Sequence, residues 1–285
     1  MLWHHATGAL SLERPCIVGI VNVTPDSFSD GGRLGSVDEA RRHADRLIAD
    51  GADVIDVGGE STRPQGAIPV DAGEEMRRVL PVIAAVAADH PEVPLSIDTV
   101  KALVAEAAIA EGASIVNDVS GFRLDAAMPR TCARAGAGVV VMHSRGGVAD
   151  MATVVYAEYS ADVTGDVICE LRASLDAANA AGIQRERIVV DPGIGFSKRG
   201  EHSLRLLAEL SRLSILGLPV LVGVSRKRFI GQLTGVDLPA DRVAGTTGAN
   251  VAALCNGAIL FRVHDVKPAR QSLDVAWAII RSSPG

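Results

Sequence analysis

The chain has 285 residues, 48% of them hydrophobic and 22% charged, with a formal net charge of -6. That length allows one large domain or two small ones, and the composition is that of an ordinary folded protein with a sizeable core; an acidic balance without a basic tail excludes a surface for non-specific nucleic-acid binding. No apolar run reaches the roughly 18 residues of a membrane-spanning helix, and the opening stretch MLWHHATGALSLERP lacks the charged-then-apolar pattern of an export signal.

In chain order, short β-branched runs alternate with longer amphipathic, Ala-rich stretches, the pattern of repeated βα units. Eight strands are predicted, at 16–23, 53–59, 94–99, 114–121, 138–144, 187–193, 219–225 and 257–263. Aromatic residues make up only 3% of the chain, so Val, Ile, Leu and Ala must fill the core, as in a parallel sheet buried on both faces. Several helices run into a Gly just before the next strand, in ADGADVID, AEGASIVND and ARAGAGVVV, where Gly takes the left-handed cap. The longest helical stretch is predicted over about 157–181, as an oversized crossover helix. Together these elements predict an α/β fold of the (β/α)8 TIM-barrel type, with a doubly wound open sheet as the alternative. No linker or charge block divides the chain, so one domain is expected over 1–285, its core at about 15–282. The four cysteines, Cys16, Cys132, Cys169 and Cys255, show neither a CxxC pair nor metal-ligand spacing, and reduced thiols in a cytoplasmic protein are expected.

In a barrel, chemistry gathers where strands end and βα loops begin. The predicted strands run into Asn22, Glu60 to Pro64, Asp98, Asn117 and Asp118, His143, Asp191, Ser225 to Arg228, and Arg262 with His264. Each has an ordinary structural explanation: Asp98 as a helix cap, Asn117 as a satisfied core amide, His143 and His264 as structural histidines, the SRKR cations as a solvated turn. Their coincidence at one end of every strand favours a site. Two long loops, 22–32 and 58–67, are rich in Gly, Pro and Ser and are candidate lids, with Phe28 either pinning its loop or covering a planar ligand. Asn22, Asp26 and Asp30 offer hard oxygens to a Mg2+ that arrives with phosphate. Lys227, at the start of a helix, can receive an anion, and with Arg262 and His264 nearby the cluster suits a diphosphate on one side and a carboxylate on the other.

Seven motifs, GIVNVTPDSFSDGG, DVGGESTRP, SIDT, NDVSG, DPGIGF, SRKRFIG and RVHDV, occur in order over nearly the whole chain, and the sequence resembles the dihydropteroate synthases, a family of pterin-binding TIM barrels. The resemblance implies an enzyme that joins 6-hydroxymethyl-7,8-dihydropterin diphosphate to 4-aminobenzoate, releasing pyrophosphate. It implies a pterin pocket of Asp98, Asn117 and Asp191, with Val119 and Met142 as apolar walls, Phe196 against the ring, and Gly223 admitting it. Lys227 would hydrogen-bond the pterin and face the aminobenzoate. Asn22, Thr62, Arg63, Arg262 and His264 would hold the diphosphate, with Mg2+ on Asn22 and Asp30. Phe28, Thr62, Arg63, Pro64 and Phe196 would hold the aminobenzoate, its carboxylate meeting Ser225 and Arg228. Lys227, Arg262, Asp98 and Asp191 would carry the catalysis. A homodimer, and inhibition by sulfonamides as mimics of aminobenzoate, are further expectations. The sequence departs from the family pattern at Ser144 and Gln65, which bear on loop closure and on whether the enzyme is sulfonamide-sensitive or resistant. A methyltetrahydrofolate-to-corrinoid methyltransferase, or a paralogue that only binds pterin, are the alternatives. Intact TPDSFSDGG, STRP and SRKR argue against the first, and the presence of Asn22, Arg63, Lys227 and Arg262 against the second.

Overall fold

The computed structural model describes residues 1–23, 32–60 and 69–282. A hairpin comes first, β1 (Leu2–His5) with β2 (Gly8–Ser11). Strands and helices then alternate: β3 (Cys16–Asn22), α1 (Gly32–Ala49), β4 (Val54–Gly58), α2 (Ala72–Asp89), β5 (Leu95–Asp98), α3 (Ala102–Ala110), β6 (Ile115–Asp118), α4 (Met128–Ala135), β7 (Gly138–Met142) and α5 (Val163–Ala180). They continue with β8 (Ile188–Asp191), α6 (Gly200–Ala208), β9 (Leu221–Val222), α7 (Arg228–Thr234), α8 (Val243–Cys255), β10 (Leu260–Val263) and α9 (Val266–Ser282). The strands from β3 to β10 pair in parallel in the order β8-β7-β6-β5-β4-β3-β10-β9. The two ends of that order meet through a parallel bridge between Val190 and Val220, where the Val190 N–H donates to the Pro219 carbonyl at 3.0 Å. The result is a nearly closed (β/α)8 barrel, and the open-sheet alternative is set aside.

Each predicted strand is present. The shortest is β9, because Pro219 cannot donate to the ladder and Gly223 has no side chain to pack. β4 and β7 are buried at every position, as a parallel sheet covered by helices requires. Two expectations are corrected. The helix predicted over about 157–181 begins only at Val163, where the Asp162 carboxylate caps it by accepting the Gly165 N–H at 3.1 Å; at 18 residues α5 is no longer than α1 or α2. The hairpin, which the reading of repeated βα units did not anticipate, stops the N-terminal end of the barrel. Trp3 is 1% exposed and packs with Cys16, Val18, Val54, Ile115, Val140, Val189, Leu221 and Leu260, its indole N–H donating to the Arg187 carbonyl at 2.9 Å. The larger core lies outside the barrel, between strand residues such as Ile17, Ile55, Ile97 and Phe261 and the helices.

Candidate active site

Side chains alternate faces along a strand. The residues that pack with Trp3 inside the barrel, Val18, Val54, Ile115, Val140, Val189, Leu221 and Leu260, therefore set the parity. Continuing in steps of two toward the C-terminal ends puts Asn22, Asp56, Gly58, Asn117, Met142, Asp191, Gly223 and Arg262 on the interior, and Asp98 joins them through its register with Gly58 and Asn117. Register neighbours Asn22, Gly58, Asp98 and Asn117 lie side by side across four adjacent strands. Gly58 leaves room between two polar neighbours: a Cβ there would meet Asp98 Oδ2 at 3.6 Å and Asn22 Oδ1 at 3.7 Å.

The deepest polar layer centres on Arg262. Its Nε donates to Asp56 Oδ2 at 2.6 Å and its Nη2 to Asp98 Oδ2 at 2.7 Å, while Asn117 Nδ2 donates to the same Asp56 oxygen at 3.1 Å. Two carboxylates thus share one guanidinium. Burial, the largest influence, pushes the Asp98 carboxyl up to about 7; Arg262 opposes and the Asp56 charge adds to the rise. Asp98 is therefore not a helix cap. Asn117 is a partnered interior amide, as the ordinary explanation has it, but its partner is this charged cluster.

The next layer offers an apolar slot with an acid at one end. Val119 and Met142 pack with Val100 and Met151, with Phe196 against them. Above Gly223 the space is open, the nearest atom to a Cβ there being the Arg262 Cβ at 3.9 Å. Asp191 is buried and its Oδ1 accepts the Gly193 N–H at 2.7 Å; burial pushes its carboxyl up, and Lys227 opposes. The Lys227 ammonium donates to the Ile194 carbonyl and stands 4.5 Å from the centre of the Phe196 ring. Burial lowers it to about 8, with Asp191 opposing and Arg262 adding to the fall.

At the rim, the three adjacent cations of SRKR do not share one role. Arg226 forms a two-pronged pair with Asp265 (2.9 and 2.6 Å), its backbone in the left-handed region at φ 59 and its carbonyl bound by Arg242 at 3.0 Å. It is a structural clasp between the β9 and β10 loops. Arg228 is exposed at the start of the two-turn α7, and Lys227 alone points into the mouth. Ser225 Oγ lies 3.0 Å from His264 Nδ1 and accepts the His264 N–H at 3.2 Å. Phe28, Asp30, Thr62, Arg63 and Pro64, with Asp26 and Gln65, lie outside the described residues.

Among the described residues no cluster of three His, Cys, Asp or Glu is placed to hold a metal. The donor that remains, the amide oxygen of Asn22 beside Asp98 and Gly58, is a hard oxygen at the open end of the barrel. It fits a Mg2+ that takes few protein ligands and arrives on a diphosphate. Sequence reasoning missed Asp56, which the step of two from Val54 would have found, and Lys198, which SKR presents as one more surface charge.

A family model described as pterin binding enzyme matches residues 18–264. The chain is 43% identical over 286 residues to the dihydropteroate synthase of Mycobacterium leprae (strain TN), covering 96% of this chain and 97% of that protein. Among solved structures it is similar to Xanthomonas albilineans dihydropteroate synthase in complex with 7,8-dihydropteroate, at a TM-score of 0.88 and 42% identity over 100% of both chains. It is likewise similar to Yersinia pestis dihydropteroate synthase with a sulfonamide drug complex, at a TM-score of 0.90 and 39% identity over 99% of this chain and 100% of that one.

Proposed function

The chain belongs to the pterin binding enzyme family, and on that premise we infer that it is a dihydropteroate synthase, a transferase of folate synthesis. It joins 6-hydroxymethyl-7,8-dihydropterin diphosphate to 4-aminobenzoate and releases pyrophosphate. The observation that carries this reading is the full-length likeness to a synthase holding its dihydropteroate product, together with an interior that alternates acids and an apolar slot.

The pterin edge is a row of N–H groups beside a carbonyl, and carboxylates are the acceptors such a row needs. Asp191 and Asp98 take the N–H groups, Asn117 completes the edge, and Val119, Met142 and Phe196 enclose the ring. Reaction breaks the exocyclic C–O bond to the diphosphate, and the electron pair leaves with the phosphate. The resulting cation is spread over the dihydropterin ring, and Asp191 and Asp98 stabilise it electrostatically. A neutral aromatic amine then attacks the carbon and gives up its proton to solvent. No strong base is needed, so the protein's main contribution is to align the amine with the departing bond. Lys227 spans the two substrates, facing the pterin slot and the Phe196 ring on which the aminobenzoate packs. Asn22 and His264 hold the diphosphate toward the rim, with Thr62 and Arg63 from the second loop, and Arg262 adds its shared positive charge from the layer below. Bound at Asn22 and Asp30, Mg2+ would supply positive charge to the leaving pyrophosphate. Phe28 and Pro64 complete the aminobenzoate site, with Ser225 and Arg228 toward its carboxylate. A homodimer in the cytoplasm, with sulfonamides competing for the aminobenzoate site, completes the proposal.

The test is pyrophosphate release from the pterin diphosphate with Mg2+, with and without 4-aminobenzoate, and again with a sulfonamide. Release that requires aminobenzoate and yields dihydropteroate supports the reading, and the sulfonamide arm separates a sensitive from a resistant enzyme. Pterin binding without release overturns it.

A further inference from the structure

The segment 192–198 between β8 and α6 carries Phe196, and two lysines hold it from different sides. Lys227 donates to the Ile194 carbonyl from the mouth of the barrel. Behind the segment, Lys198 is 2% exposed and turns inward, its Nζ donating to the Phe196 carbonyl at 2.9 Å and meeting His143 Nδ1 at 2.9 Å. The roles along this chain of bonds follow from its far end. His143 Nε2 stands 3.1 Å from Glu170 Oε2, and Glu170 also accepts from Arg145 Nε at 3.1 Å, so the carboxylate is an acceptor and Nε2 carries the hydrogen. Nδ1 is then the lone pair of a neutral ring and accepts from Lys198. Directed hydrogen bonds run from Arg145 through Glu170, His143 and Lys198 to the backbone of the Phe196 segment.

The backbone makes the same attachment. The Ser197 N–H donates to the Met151 carbonyl at 2.6 Å, and Gly193, at φ 67, lies so close to His143 that a Cβ would fall 1.9 Å from its carbonyl oxygen. A buried amine is costly unless its hydrogen bonds are made, and an apolar side chain would fill this space without that cost. Its surroundings are mixed: Asp191 and Glu170 attract it, Lys227 and Arg145 repel it, and the Tyr159 ring lies 6.0 Å away.

We propose, on the synthase reading above, that Lys198 is a positioning residue: it ties the Phe196 carbonyl to His143 and so fixes the ring that Lys227 faces and the substrates pack upon. Lys198 itself touches no substrate. Amide hydrogen exchange in ligand-free protein, read by mass spectrometry, is the first readout because it does not depend on turnover. In Lys198→Met, amides within 193–197 are expected to exchange at least tenfold faster, while β7 and α5 exchange as in the parent. KM for aminobenzoate is expected to rise about tenfold, with a smaller fall in kcat. His143→Asn keeps an acceptor where Nδ1 was and is expected to preserve the slow exchange, whereas His143→Leu is expected to match Lys198→Met. Parental exchange in Lys198→Met overturns the proposal. If that variant does not fold, equal damage from the Asn and Leu changes at His143 overturns it instead. A parent enzyme that makes no dihydropteroate would sink the synthase reading and leave the exchange result to decide the role of Lys198.

Discussion

Replacing Asp56 by Asn removes one of the two carboxylates that share Arg262 and leaves the shape of the cluster intact. Oxygens bound to neighbouring nitrogens of one guanidinium stand roughly 5 Å apart, and at an effective dielectric of about 20 their repulsion is about 3 kcal/mol. Water reaching the open mouth reduces that to about half, which by the 1.36 kcal/mol per pH unit of proton linkage displaces the Asp98 midpoint by about one pH unit. The direction is downward. Asp98 loses the charge that pushes it up and keeps the guanidinium that pulls it down. Stability has a sign of its own. A carboxyl raised from 3.8 to about 7 holds its proton more tightly in the folded state, so its contribution is fully present below about pH 4 and is lost as the pH rises through 7. Asp56→Asn is therefore expected to lose less stability between pH 5 and pH 8 than the parent. At fixed pH it gives up a charged acceptor worth about 1.5–3 kcal/mol, regains a neutral bond of about 1 kcal/mol, and ends about 0.5–2 kcal/mol less stable. The assay is kcat/KM for the pterin diphosphate against pH, with urea unfolding across the same range. An acid limb is expected near 7 in the parent and about one unit lower in the variant. A limb that stays in place, or moves up, refutes the shared-guanidinium argument.

Lys227→Ala is expected to lower kcat/KM about 100-fold or more and to abolish the alkaline limb near 8. Its folded value lies below its unfolded one, so the lysine burdens the fold below about pH 8; the variant's melting temperature at pH 7 is expected to stay within a few degrees of the parent by calorimetric scanning. Asp191→Asn exchanges an acceptor for a donor facing the Gly193 N–H and the pterin N–H groups, and titration calorimetry is expected to show pterin affinity falling by about 2–4 kcal/mol. Gly193→Ala forces a Cβ to 1.9 Å from the His143 carbonyl, so the segment must move, and loss of activity together with a lower urea midpoint is expected. Trp3→Ala removes the stopper of the barrel and is expected to cost about 3–5 kcal/mol by urea unfolding.

What could be read from the sequence follows from how local each cause is. Strand runs, and glycines such as Gly51, Gly112 and Gly136 that adopt positive φ just before the next strand, are signals carried by neighbouring residues. They disclosed eight βα units. The start of α5 was misplaced because 157–162 has helix-forming residues; the Asp162 cap is a local signal that was passed over, while the hold of Arg145 on the Tyr156 carbonyl depends on a three-dimensional contact. The hairpin was missed for a similar reason: LWHH and GALS are unremarkable until Trp3 has a barrel floor to fill. At the site, Asp98, Asn117 and Asp191 stood out because they end apolar strands. Asp56 did not, being flanked by apolar residues within DVIDVGG, although its parity with Val54 carried the information.

The SRKR run shows what charge density alone cannot decide. Three cations side by side have three settings: Arg226 pairs with Asp265, Lys227 donates to the Ile194 carbonyl at the mouth, and Arg228 is exposed at the start of α7. Within the interior itself, the described charges are Asp56, Asp98 and Asp191 against Lys227 and Arg262, three acids to two bases. An inner layer with that balance repels a diphosphate and welcomes the N–H edge of a pterin. On the proposed reading, charge would orient the substrate before any shape is compared, with the pterin inward toward Asp191 and Asp98 and the diphosphate toward Asn22 and His264. Arg262 already has Nε and Nη2 committed to carboxylates, so its pull on the diphosphate is the residue of a shared charge. Neutralisation of the leaving group has to come largely from outside that layer, and a Mg2+ accompanying the substrate, as proposed above, would supply it. Omitting Mg2+ is accordingly expected to abolish pyrophosphate release while leaving the affinity for the pterin itself unchanged, and a fall in both together would place the metal inside the pterin pocket and refute this ordering.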